Sequence, residues 1–90
     1  MLNWLLALPL PMRAAVEKRI DRIERGLLGD YKPLEDGIIE FRIDFGPGFR
    51  IYAGLLGESA ILLTGSDKTD QKRTIPIAKS LWKEFKKGIS

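Results

Sequence analysis

Apolar residues divide the chain into six segments, and their spacing changes from helical to strand-like near the middle. Leu2, Leu5, Leu6 and Leu8 predict a short helix stopped by Pro9 and Pro11. Met12, Val16, Ile20, Ile23 and Leu27 then recur at steps of four, four, three and four, one face of a second helix. Arg13, Lys18, Arg19, Arg22 and Arg25 fall on its other faces, mixed with acids, as a solvated surface. Gly26 and Gly29 supply the stop. The proline corner makes the pair a helical hairpin.

The stretch GDYKPLEDG reads as loop. Beyond it, Ile39, Phe41 and Ile43 alternate with Glu40, Arg42 and Asp44, the period of a half-buried strand. Gly46-Pro47-Gly48 forms a turn, and a second strand places Phe49, Ile51 and Ala53 on the core side, Arg50 and Tyr52 on the other. LLGES turns into a third strand, AILLTG. Short turns between the three predict an antiparallel meander. Residues 69–87 read as a last helix packing through Ile75, Ala78, Leu81, Trp82 and Phe85, with a kink or restart at Pro76. Trp4 and Trp82 are core residues on this reading. The expectation is one α+β domain over residues 1–90, ordered ααβββα, with helices on one face of the sheet.

With 90 residues the chain can bury one modest core. It has neither cysteine nor histidine, which excludes disulfides, thiolate and imidazole zinc sites, and imidazole acid–base catalysis. Absence of cysteine fits a cytoplasmic protein. The net charge of +3 is compatible with nucleic acid or an acidic protein partner. The opening MLNWLLALPLP is too short to span a membrane and lacks the basic start of a signal peptide, so no membrane partner is expected.

The alternation sets Arg42 and Arg50 together on the wet face of the hairpin EFRIDFGPGFRIYA, although like charges facing across strands repel. With Lys32, Asp67, Lys68 and Gln71 on flanking loops, they would form a concave basic site. Guanidinium forks match phosphate oxygens and can stabilise charge developing in a transition state. A lysine serves as acid or base where neighbouring cations lower its pKa, and Tyr52 could stack on a base. Each has an alternative. Arg42 could pair with Glu40 or Asp44, Lys32 could be solvated, Asp67 could cap the last helix, and Tyr52 could pack at the sheet rim.

Three motifs in order, RIDRIERGLLGDYKPL, EFRIDFGPGFRIYA and LLTGSDKTDQKRTI, resemble the RelE/ParE toxin superfamily, in particular its HigB-like branch of addiction-module killer proteins. The resemblance spans roughly residues 3–87. It implies the toxin of a type II toxin–antitoxin pair, neutralised by a small antitoxin, commonly a helix-turn-helix protein. It implies ribosome-dependent cleavage of translated mRNA, by attack of a ribose 2′-hydroxyl on the adjacent phosphate. Arg50 matches the phosphate-steadying arginine, Arg42 falls where related toxins place basic catalytic residues, Lys32 and Lys68 match basic positions of the branch, and Asp67 and Gln71 match its loop without a role assigned by the match. The expected site has Arg50, Arg42 and Lys32 as catalytic and Lys68, Tyr52, Gln71 and Asp67 as substrate-binding residues. No cofactor or metal is implied. Family members usually carry a β-strand before the first helix. Here LNWLLALP matches the helix motif almost from Met1, so either the start is truncated or the strand is lacking, and a sheet without it would have an exposed edge able to pair with a second chain. The same fold serves gyrase inhibitors of the ParE branch. A toxin remnant that only binds its antitoxin is a third possibility.

Overall fold

The computed structural model describes residues 2–89; Met1 and Ser90 lie outside the described residues. Helix α1 spans Leu2–Leu6 and α2 spans Leu10–Glu24. The sheet comprises β1 (Tyr31–Pro33), β2 (Ile38–Ile43), β3 (Phe49–Leu56) and β4 (Ser59–Asp67), followed by α3 (Gln71–Ile89). All neighbours pair antiparallel in the order β1-β2-β3-β4, and the protein is α+β.

The proline corner divides its labour. Pro9 flanks the start of α2, while Pro11 lies inside its first turn, where a missing N–H costs nothing. At the far end Gly26 takes φ +83°, and the amides of Gly26 and Leu27 donate to the carbonyls of Ile23 and Arg22. That cap stops the helix one turn before its apolar stripe ends, so Leu27 is exposed rather than packed. Met12, Val16, Ile20 and Ile23 keep the face.

Tyr31–Pro33, expected as loop, is a strand paired with Ile39–Phe41, so the sheet has four strands and β1 covers part of the edge of β2. Pro33 fits because an edge strand can spare an amide. The helices lie on both faces, not one. α1 and α2 cover Phe41, Ile43, Phe49 and Ile51, whereas α3 covers Ile38, Tyr52 and Leu63 with Ala78 and Trp82. Between Tyr52 and Ala53 the register with β4 slips by one residue, and Leu63, without a partner opposite, joins the α3-side core. α3 runs unbroken through Pro76, and Leu81, expected on its packing face, is exposed.

Each face of the sheet is closed by a tryptophan seated on a glycine. A Cβ on Gly54 of β3 would lie 2.3 Å from the Trp82 ring, and one on Gly65 of β4 would lie 2.4 Å from the Trp4 ring. The strands forgo two side chains so that two large rings can press directly on the backbone. Gly88 in α3 has open space around its Cβ position. Gly54→Ala and Gly65→Ala are each expected to destabilise by about 2–3 kcal/mol, the cost of overpacking. Gly88→Ala is expected to be neutral or better. Urea unfolding of the three variants checks this; equal small effects would contradict the seating of the rings.

Candidate functional site

The turn Asp44–Gly48 carries the site. Gly46 and Gly48 adopt φ +57° and +84°, conformations that a side chain would strain, and the Gly48 amide donates to the Phe45 carbonyl at 3.0 Å. The Lys68 amide donates to the Gly48 carbonyl at 3.0 Å, drawing the end of β4 against the turn. Arg42 and Arg50 are direct cross-strand partners and share a face. Arg42, Arg50 and Lys68 line one cleft of about 370 Å³, with Asp30, Ile43, Asp44 and the Gly-Pro-Gly turn as the rest of its wall.

What holds the two guanidiniums together is Glu40. Its carboxylate is fully buried, and both oxygens are engaged. Oε1 accepts from Arg42 Nε at 3.2 Å and forms an ion pair with Arg50 Nε at 3.8 Å, while Oε2 accepts from Gln71 Nε2 at 2.6 Å. The Arg42 side chain is 39% exposed and that of Arg50 is 14% exposed, so Arg50 is the more fixed. Arg50 Nη1 donates to the Phe49 carbonyl at 3.1 Å, and its buried Nε makes no hydrogen bond among the described residues. Of the two readings open for Arg42, the ion pair with Glu40 is present, and the same side chain still faces the cleft.

The remaining candidates separate. Lys68 joins the arginines. Lys32 stands opposite Glu40 in β1, exposed, and is not part of the cleft wall. Gln71 faces Glu40 from the first turn of α3 and acts as its clamp. Tyr52 is wholly buried under α3, which removes the expectation that it stacks on a base. Its hydroxyl lies 3.4 Å from that of Ser66, and burial pushes its pKa up. Asp67 shapes the turn into α3: Oδ1 accepts from the amides of Thr69 and Asp70 at 2.9 Å and from the Thr69 hydroxyl at 2.6 Å. Those bonds, led by the Thr69 hydroxyl, hold its carboxyl below the usual range.

Arg19, expected on the solvated face of α2, is a tether. Nη1 donates to the Arg42 carbonyl at 2.6 Å, and Nη2 donates to the Leu28 and Asp30 carbonyls at 2.8 Å each. It thereby fixes β2 and the Asp30 wall of the cleft to α2. Gly29 leaves the room: a Cβ there would approach Arg19 Nη2 to 2.9 Å. In the sequence, Gly29 is the one signal of this contact, and there it reads as a helix stop. Among the described residues, no cluster of acidic side chains could hold a metal ion, and no helix is long and apolar enough to cross a membrane.

No family model matches the chain, and no solved structure matches it. An uncharacterized protein of Haemophilus influenzae is 43% identical over 85 residues, covering 92% of this chain and 86% of that protein.

The lowered pKa of Asp67 carries a sign. Its stabilisation is complete above the unfolded carboxyl value of about 3.9 and is lost as pH falls through the lower folded value. Asp67→Ala should therefore be less stable than wild type at pH 7, and the gap should narrow below about pH 4. Thermal melts across pH 2–7 measure it (roughly the range over which carboxyls titrate); a constant gap contradicts the hydrogen-bonded carboxylate.

Proposed function

We propose that this chain, which belongs to the same family as the uncharacterized Haemophilus influenzae protein, is a toxin that cleaves translated mRNA on the ribosome. The observation that carries this reading is the cleft in which Arg42, Arg50 and Lys68 converge, its arginines braced from behind by a buried carboxylate. The motifs that resemble the HigB-like branch fall on that cleft and its supports.

A phosphodiester seated between the two guanidiniums has its non-bridging oxygens met by fixed donors. Attack of the ribose 2′-oxygen forms a new bond to phosphorus as the bond to the 5′-oxygen breaks. The proton leaves the 2′-hydroxyl and ends on the departing 5′-oxygen, giving a 2′,3′-cyclic phosphate and a 5′-hydroxyl. Arg50, the more rigid guanidinium, holds the phosphate; Arg42 and Lys68 bear on the charge that grows in the transition state. Such a site stabilises charge but does little to align the 2′-oxygen with the leaving group. Alignment by a ribosome-bound message is worth several kcal/mol, so activity on free RNA is expected to be weak. The partners on this reading are mRNA, the ribosome and a helix-turn-helix antitoxin, in the cytoplasm.

A binding role without cleavage is the second reading, favoured by the engagement of both guanidiniums with Glu40. Primer extension on a translated reporter separates the two. Wild type should give discrete cuts, and Arg50→Ala should lower their rate by about 10²–10³, the usual cost of removing one preorganised donor. Growth arrest with intact mRNA and blocked DNA supercoiling would instead identify a gyrase-directed inhibitor.

A further inference from the structure

The positive charge of this protein is not concentrated at the cleft. α3 carries six basic side chains, Lys72, Arg73, Lys79, Lys83, Lys86 and Lys87, against the single acid Glu84. The helix is therefore +5 in a chain of +3, and the residues outside it sum to −2. At helical spacing Lys72, Lys79, Lys83 and Lys86 fall on one stripe about 21 Å long. Lys79, Lys83 and Lys86 line a second cleft of about 520 Å³ beside Trp82 and Asp36. Lys79 Nζ is held 3.2 Å from Glu35 Oε2 and 3.9 Å from Asp36 Oδ2, and Lys86 lies over the Trp82 ring at 5.4 Å, so two of the row are positioned. Like charges at i,i+4 repel on a helix, and a bound polyanion relieves that repulsion.

We infer that the lysine row of α3 is a docking surface for the phosphate backbone of duplex RNA. Its length exceeds what a single small anion would need. It offers no platform for stacking bases: Trp82 is buried, and its ring already faces Phe85 and Lys86. Binding through phosphates alone suits a helix rather than a splayed single strand. The apolar face of α3, with Ala78 and Trp82, is already packed on the sheet, which argues against a membrane-surface helix. The choice of RNA over DNA rests on the function proposed above; the row itself does not depend on cleavage.

Fluorescence anisotropy of a labelled, 2′-O-methylated RNA hairpin tests this without any cleavage. Binding should weaken with salt. The double variant Lys83→Gln/Lys86→Gln should lose about tenfold in affinity near 0.1 M salt and about two units of salt slope, roughly one per phosphate contact. Lys83→Arg/Lys86→Arg should keep both, which separates charge from folding. An unchanged slope in the Gln variant overturns the inference. So does equal binding of a DNA duplex, or capture by phosphatidylserine vesicles in preference to the hairpin.

Discussion

A buried carboxylate between two arginines is the constraint on which the site depends. Arg42 and Arg50 face each other across β2 and β3, an arrangement that is repulsive on its own. Glu40, two residues before Arg42 on the same face, is fully buried, and an isolated charge there would be costly. Each half resolves the other. The carboxylate compensates the two guanidiniums, and the guanidiniums with Gln71 replace the water that the carboxylate lost. The anion that brings the arginines together is thus in the first instance the protein's own. Their fixed placement is what presents them to the cleft, and because Gln71 belongs to α3, the docking of that helix and the shape of the cleft are linked.

The sheet that carries this network is covered on both faces, and each cover is keyed by a missing side chain. Trp4 sits on Gly65 and Trp82 on Gly54, on opposite faces. Arg19 adds a polar key, bonding three backbone carbonyls between α2, the following loop and β2. Partial burial lowers the pKa of its guanidinium against the opposing field of Asp30. Removing any of these keys should loosen the cleft from a distance, since its walls are the strands and loop they hold.

The strands β2 and β3, their turn and the three helices were legible because apolar residues mark them by period. The shared face of Arg42 and Arg50 followed from alternation alone, and the structure has it. The same alternation misled on what covers that face. Glu40, Arg42, Arg50 and Tyr52 look solvated to any pattern of polar and apolar positions, yet Glu40 and Tyr52 are buried beneath α3. Polarity does not distinguish water from a satisfied internal network. β1 was invisible for another reason: Tyr31, Lys32 and Pro33 are all exposed, so no alternation marks them, and Pro33 argues against a strand unless it is known to lie at an edge. Arg19 could not be told from its helix neighbours, because its partners are carbonyls of residues distant in sequence.

The central claim is that Glu40 and the arginines form one energetic unit, and a double-mutant cycle tests it most directly. Stability would be measured by urea unfolding for wild type, Glu40→Gln, Arg50→Met and the double variant. Each single change leaves a buried charge short of its partner, so each should cost about 2–4 kcal/mol, and the double variant should cost less than their sum by about 2 kcal/mol. Additivity within about 0.5 kcal/mol would contradict the account.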